Sequence, residues 1–131
     1  MEEKEELLMK LGMFEQQIQQ LQQQIEAVER GIVELNSLDI GLDELINGKD
    51  KEIFASIGRG IFIKAKLISE ELNVDVGGGN FVRKTIPETK ELIEEQIEKL
   101  EDVKKELEHN LEKIGEDFTD MMKEAEEKEG D

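Results

Sequence analysis

Apolar residues recur along the first third of the chain with the spacing of a coiled coil. From Leu7 to Leu35 the intervals alternate between four and three residues without a break over four heptads. An apolar seam with this period lies on one face of a helix and needs a partner helix to cover it. The seam residues are Leu7, Leu11, Phe14, Ile18, Leu21, Ile25, Val28, Ile32 and Leu35.

We predict that this first helix covers residues 1–47. Its apolar pattern lapses at one heptad position and resumes at Leu42 and Ile46, after which Asn47-Gly48 provides the left-handed stop common at helix ends. Seven glutamines lie between the apolar positions of residues 16–24. Glutamine favours helices and prefers water to a core, so we interpret this run as a solvated face of the helix.

The C-terminal third of the chain carries a second helix of the same kind, predicted over residues 85–129. Thr85 and Glu88 have the spacing of a capping box, with the only proline inside the first turn. Lys104 takes one core position of the seam, where a charge selects register or partner rather than marking a binding site. The seam residues are Ile93, Ile97, Leu100, Lys104, Leu107, Leu111, Ile114, Phe118, Met121 and Ala125. Antiparallel pairing would cover both seams and place both chain termini at one tip.

Between the helices, residues 52–84 have the composition of four short β-strands. Apolar and β-branched runs are separated by glycine-rich turns, which predicts two β-hairpins. Hairpins of this size are too small to be stable alone, and their apolar rows require a partner surface. We therefore expect them to join hairpins of other chains in a shared β-barrel or platform. The residues expected in this oligomer interface are Ile53, Ile57, Ile61, Ile63, Leu67, Val74, Val76 and Phe81.

The predicted fold is mainly α with a small β part, in a single domain of residues 1–131. It is a long antiparallel two-helix coiled coil with two central β-hairpins that join an oligomeric β-barrel platform. The charge distribution agrees with this division: residues 1–45 and 88–129 carry net charges of −8 and −10, whereas residues 46–87 carry +2. Two acidic helices thus flank a centre of different composition.

Composition excludes several classes of function. The chain has no cysteine, 34 acidic residues and 17 basic ones, and therefore a net charge of −17. Without cysteine no disulfide framework, zinc ribbon or iron–sulfur cluster can form, and the negative charge repels nucleic-acid phosphates and anionic lipids. The apolar runs are far too short to cross a bilayer, and the acidic start lacks the basic and apolar regions of a signal peptide. We expect a cytoplasmic protein with no nucleic-acid or membrane partner.

Catalytic motifs are also missing from the sequence. Gly48-Lys49 lacks the first glycine of a phosphate-binding loop, because Asp43 stands in its place, and neither Gly-x-Gly segment has the third glycine of a dinucleotide fingerprint. His109 takes an outward helix position without a second histidine or any cysteine to share a metal ion. We therefore predict no enzyme activity, no cofactor and no metal site.

The order of elements and the glycine-rich segments resemble the α class of prefoldin subunits. Residues 57–65 and 74–86 are similar to the paired hydrophobic-Gly-x-Gly-hydrophobic hairpin segments of that class, and the resemblance covers nearly the whole chain. The β class has one hairpin, so the duplicated segment favours the α class. The resemblance implies a hetero-oligomer, typically of two α-class and four β-class subunits. Such an assembly captures unfolded proteins at its coiled-coil tips and passes them to a group II chaperonin without ATP.

The predicted tip has the chemistry that such binding requires. Four of the five methionines cluster there, and methionine adapts to many apolar partners. The predicted client-binding residues are Leu7, Leu8, Met9, Met13, Phe118, Met121 and Met122. Leu7, Phe118 and Met121 also lie on the apolar seams and are expected mainly in the coiled-coil core. The other four are therefore the better candidates for client contact.

Two alternative functions remain open. A structural coiled-coil adaptor would use its helices to tether fixed partners, but this function gives the two glycine-rich hairpins no role. A homo-oligomeric or filament-forming prefoldin variant would use the same fold without a β-class partner.

Overall fold

The computed structural model describes residues 2–129 and contains two long helices and four short strands. The elements are α1 Glu2–Asp43, β1 Glu52–Gly58, β2 Ile61–Lys66, β3 Leu72–Asp75, β4 Phe81–Lys84 and α2 Ile86–Glu129. This order confirms the predicted combination of a helix pair with two hairpins. Within the described chain the strands form two separate two-stranded sheets and no closed barrel. No helix among residues 2–129 combines the length and apolarity needed to span a membrane.

One compact unit combines residues 2–32 of α1 with residues 99–129 of α2. The two helices run antiparallel, because residues farther along α1 lie opposite residues earlier in α2. Glu29 forms an ion pair of 3.3 Å with Lys104. Two residues farther along α1, a Cβ at Gly31 would lie 3.4 Å from Leu100 Cδ1, so the helices are in close contact there. The predicted seam residues are buried or half-buried, and most positions between them are exposed. Apolar burial along one face therefore holds this helix pair together.

The second compact unit comprises residues 33–98 and contains both hairpins. Its core consists of Leu42, Ile86 and Ile93, of which Ile86 is the most buried at 2% exposure. Partly buried side chains from both helices, from the turns after α1 and from β3 pack against this core, namely Leu35, Leu45, Leu72 and Ile97. The contact made by Leu72 anchors the second hairpin to the helical core of the unit.

The α-helical part of α1 ends at Asp43, four residues before the predicted stop. Residues 44–47 continue as successive turns, and Asn47 has a left-handed φ of 58°, as its place in the Asn-Gly pair suggests. Because the helical repeat is interrupted, Leu45 packs against the core and the Ile46 side chain remains 43% exposed. The predicted seam position at Ile46 is therefore wrong.

The first hairpin pairs β1 with β2 around a two-residue turn formed by Arg59 and Gly60. Both turn residues have positive φ, 50° and 76°, which is the backbone geometry whose twist matches that of antiparallel strands. A β-bulge between Ser56 and Gly58 shifts the register next to the turn. In the rest of the hairpin the pairing is regular, so alternate side chains lie on opposite faces.

The second hairpin pairs β3 with β4 through a glycine-rich loop. Val74 opposes Val82, Asp75 opposes Phe81, and the last bond of the hairpin runs from Val76 N to Asn80 O at 2.9 Å. The three glycines at 77–79 all have positive φ, a conformation that other residues rarely adopt. The loop therefore needs this glycine run, as its sequence suggested.

Thr85 caps the N-terminus of α2. Its Oγ1 accepts a hydrogen bond from Glu88 N at 3.2 Å, and its hydroxyl donates to Glu88 Oε1 at 3.0 Å. The Thr85 carbonyl accepts a further bond from Thr89 N at 3.0 Å. The predicted pairing of Thr85 with Glu88 at the helix start is confirmed, and it satisfies a backbone N–H that has no partner within the helix.

Replacing this cap should weaken the fold measurably. We expect Thr85→Ala to lower the free energy of unfolding by about 1 kcal/mol, because Glu88 N loses its acceptor. Thr119→Ala is the matched control, since its exposed hydroxyl bonds only the Gly115 carbonyl inside α2 at 2.9 Å, and its effect should stay within about 0.5 kcal/mol. Urea unfolding at a fixed protein concentration measures both values, and equal losses would contradict the assignment of Thr85 as a cap.

Candidate functional site

Four apolar side chains near the two chain ends are open to solvent, and we call them the tip surface. Leu8 is 57% exposed, Met9 70%, Met13 61% and Met122 44%. Three lie on the first four turns of α1 and one near the end of α2, within the same compact unit. The tip surface is therefore a set of flexible apolar side chains available for contact.

The other three predicted client-binding residues face the seam between the helices. Leu7 is 7% exposed, and Phe118 and Met121 are half-buried. Their heptad positions turn them toward the partner helix, whereas the neighbouring residues Leu8 and Met122 point away from it. The seven predicted residues thus divide into four exposed side chains and three that pack in the coiled coil.

Acidic residues surround the tip surface. The first turn of α1 carries Glu2, Glu3 and Glu5, where carboxylates interact favourably with the positive end of the helix dipole. Residues 124–127 of α2 add three more glutamates. This concentration of negative charge keeps an apolar surface in solution and attracts basic segments of a ligand.

The first hairpin presents an apolar side that we call the hairpin face, formed by Ile53, Ala55, Ile61, Ile63 and Ala65. Strand pairing places Ile53 opposite Ala65 and Ala55 opposite Ile63. Ile61 and Ile63 are 58% and 50% exposed, although both are large apolar residues. Ile53, Ala55 and Ala65 are half-buried, so the hairpin face is an apolar surface that this chain covers only in part.

The remaining predicted interface residues are distributed more widely. Ile57 lies in the β-bulge and is exposed, while Leu67 is half-buried beside Gly48. In the second hairpin Val74 and Val76 share a face, but Phe81 lies on the opposite one because it is paired with Asp75. The structure thus does not bring all eight predicted residues onto one surface.

Two exposed aromatic residues on the reverse side of the first hairpin were not among the predicted interface residues. Phe54 and Phe62 are 73% and 58% exposed, and they share that side with an ion pair of 3.5 Å between Lys64 and Glu52. The position of Phe62 between two isoleucines was the available signal, because three consecutive apolar residues in a strand make both faces apolar. The first hairpin therefore offers apolar contacts on two sides.

Lys104, the charged residue on the α2 seam, has partners on both helices. Its Nζ lies 3.3 Å from Glu29 Oε1 on α1 and 3.7 Å from Glu108 Oε1 one turn along α2. The pair is partly exposed, so its main effect is to favour the register in which Glu29 lies opposite Lys104.

His109 is exposed, and residues 2–129 contain no group of three or more histidine or acidic side chains arranged to hold a metal ion.

Lys90 links α2 to the end of α1. It forms an ion pair with Asp43, and its Nζ lies 4.0 Å from Asp39 Oδ1. The hydrogen bond to Asp43 raises the pKa of the Lys90 ammonium above its ordinary value of 10.5; burial opposes this, and the charges of Asp39, Asp43 and Glu94 add to it. Lys90 thus stabilises the folded state while it is charged.

This contact predicts how stability depends on pH. Because the folded state raises the pKa of Lys90, its contribution is complete below pH 10.5 and is lost as the pH rises through the raised value. The difference in unfolding free energy between the wild type and Lys90→Met should therefore shrink at high pH. Lys99→Met, which removes an exposed lysine, is the control. A difference that grew above pH 10.5 would contradict the predicted sign.

Most of the chain matches a known protein family. Residues 14–131 match the prefoldin family, described as "Prefoldin subunit". The prefoldin subunit alpha of Methanobrevibacter smithii is 34% identical over 123 residues, which cover 92% of this chain and 84% of that protein. The prefoldin subunit alpha 2 of Thermococcus kodakarensis is 33% identical over 81 residues, or 61% of this chain and 57% of that protein.

Among solved structures, the chain is similar to the filamentous PFD of Methanocaldococcus jannaschii, determined by cryo-electron microscopy. The two share 22% sequence identity and superpose with a TM-score of 0.77, over 87% of this chain and 96% of that one. At this level of identity the likeness establishes a common fold.

Proposed function

The chain belongs to the prefoldin family, and from this premise we propose that it captures unfolded proteins without ATP. As a member of this family it is a chaperone-type subunit of an oligomer. In our proposal the tip surface binds the client, and the assembly delivers that client to a group II chaperonin in the cytoplasm. The chain contributes binding surfaces to this process and no catalytic residue.

One observation carries the proposal: four large apolar side chains are exposed at the chain ends while their seam neighbours are buried or half-buried. Burying exposed apolar area is the main driving force for binding an unfolded chain. Three of the four are methionines, whose unbranched and polarizable side chains adapt to many apolar partners. The tip surface thus has the chemistry of a site that binds many different unfolded sequences.

The hairpins supply the proposed assembly surface. The hairpin face exposes Ile61 and Ile63, and a two-stranded sheet has unpaired edges that neighbouring chains can extend. We propose that hairpins of several subunits close a β-barrel platform, with two chains of this class and four β-class subunits. The coiled coils would then project from the platform with their tip surfaces free to bind clients.

A homo-oligomeric filament is the second candidate for the assembly. One solved structure to which the chain is similar is that of a filamentous PFD. The exposed Phe54 and Phe62 give the first hairpin a second apolar side, which a filament can use for contacts between successive subunits. Native mass spectrometry of the chain alone, and mixed with a β-class subunit, distinguishes a defined hetero-oligomer from an open-ended series.

Light scattering tests the chaperone function. A chemically unfolded test protein is diluted without ATP into buffer, into the chain alone, or into the chain assembled with a β-class subunit. We expect the assembly to suppress aggregation at near-stoichiometric amounts. Unchanged aggregation despite a confirmed assembly would overturn the proposal and favour a structural adaptor with fixed partners.

A further inference from the structure

The glutamine run of α1 forms one wall of a groove along the seam between the two helices. The groove has a volume of about 440 Å³. Its α1 wall is formed by Gln17, Gln20 and Gln24, and the half-buried Leu21 and Ile114 lie at its base. Its α2 wall carries Asn110 and two residues of opposite charge, Lys113 and Asp117. We call this the amide groove, because uncharged amide side chains form its α1 wall.

The amide groove continues toward the tip surface. A neighbouring depression of about 330 Å³ is lined by Met13 and five glutamines, and two of these, Gln17 and Gln20, also line the groove. Met13 belongs to the tip surface and is 61% exposed. A ligand bound to the tip surface can therefore extend from Met13 into the amide groove without leaving the protein.

Solubility alone does not explain why this part of α1 lacks charged residues. Charged residues make up 39% of the chain, yet residues 16–25 contain none. Glutamate and lysine have similar helix propensity to glutamine, so a soluble helix face does not require amides. An amide carries two donors and one acceptor without a charge, which are the groups that pair with a peptide N–H and C=O. The α1 wall therefore neither selects nor repels a ligand by charge, and the two charges of the opposite wall, on Lys113 and Asp117, cancel in sum.

We propose that the amide groove binds the backbone of an extended segment of the unfolded protein whose apolar side chains occupy the tip surface. This inference rests on the proposed function and adds a second, sequence-independent contact to it. From Gln17 to Gln24 the wall runs about 10 Å along the helix, the length of about three extended residues. Small apolar side chains of that segment would contact Leu21 and Ile114 between the walls.

Two synthetic peptides test the proposal. They have the same apolar side chains, but one has alternate backbone nitrogens methylated and so lacks half of its N–H donors. We expect the assembled wild type to bind the methylated peptide about fivefold more weakly, the loss typical of one net hydrogen bond. The variant Gln17→Ala, Gln20→Ala should bind the unmethylated peptide about fivefold more weakly than the wild type does. The ratio of its affinities for the two peptides should be much closer to one.

The matched control is Gln22→Ala, Gln96→Ala, because both residues are exposed and line neither depression. Alanine favours helices, so both variants should fold, and the control should discriminate between the peptides as the wild type does. Two results would overturn the proposed backbone contact in the amide groove while leaving client capture intact. One is that Gln17→Ala, Gln20→Ala prefers the unmethylated peptide as strongly as the wild type does. The other is that the wild type binds both peptides equally. Failure of the wild type to bind either peptide or to suppress aggregation would overturn both proposals.

Discussion

The quadruple variant Leu8→Ser, Met9→Ser, Met13→Ser, Met122→Ser is expected to bind unfolded protein at least about tenfold more weakly than the wild type. Fully burying one such side chain contributes about 1.5–3 kcal/mol, and 1.4 kcal/mol corresponds to a factor of ten in affinity. Partial burial of four side chains against a client therefore contributes more than a factor of ten to the affinity. Assembly and helix content should not change, because the buried seam residues are untouched. Affinity is measured by anisotropy of a fluorescent, permanently unfolded protein.

The control for this variant removes the same number of exposed apolar residues elsewhere. Val33→Ser, Leu38→Ser, Ile40→Ser, Val103→Ser replaces side chains that are 42% to 67% exposed, close to the values of the tip surface. It should retain wild-type affinity for the unfolded protein. Similar losses in both variants would mean that apolar exposure in general, rather than the tip surface, binds the client. Unchanged binding by the tip variant would remove the tip surface from the mechanism.

The substitution Ile63→Asp is expected to prevent assembly. Ile63 lies in the middle of the hairpin face, opposite Ala55. Burying a carboxylate without a partner in an apolar interface costs several kcal/mol, so the dissociation constant of the assembly should rise at least about a hundredfold. The helices should remain folded, because Ile63 is not part of the helical core. Native mass spectrometry and circular dichroism at matched concentrations measure the two effects.

Ser56→Asp tests whether the effect depends on the face of the hairpin. Ser56 is exposed and is paired with Phe62 on the reverse side of the same strands. If the hairpin face alone forms the subunit interface, the Ser56→Asp variant should assemble over the same range of protein concentration as the wild type. Assembly of Ile63→Asp, together with dissociation of Ser56→Asp, would place the interface on the side of Phe54 and Phe62 instead.

The helical part of the fold was predictable because its signals are local. A seam with intervals of four and three residues identifies which side chains are covered, and the structure buries or half-buries all of them from Leu7 to Leu35. The stop of α1 was less predictable, because the heptad pattern does not show that the α-helix is interrupted after Asp43. After that interruption Leu45, rather than the predicted Ile46, packs against the core that contains Ile86 and Ile93.

Strand pairing was also only partly predictable from the sequence. The alternation within each strand was visible in the sequence, but the face on which Phe81 lies depends on the length and shape of the glycine loop before it. At the tip surface, heptad positions separated Leu7 from Leu8 correctly as buried and exposed. The amide groove was beyond prediction, because it requires knowing which residues of α2 lie opposite the glutamine run.

Site-specific photo-crosslinking shows directly whether the tip surface captures an unfolded protein. A photoreactive amino acid is placed at Met13, at Met122 or at Ile68, which is 79% exposed and lies outside the tip surface. Each assembled variant is irradiated with a labelled unfolded protein in the absence of ATP. We expect crosslinks from Met13 and Met122 and few from Ile68. Crosslinks that are equally strong or stronger from Ile68 would contradict capture at the tip surface.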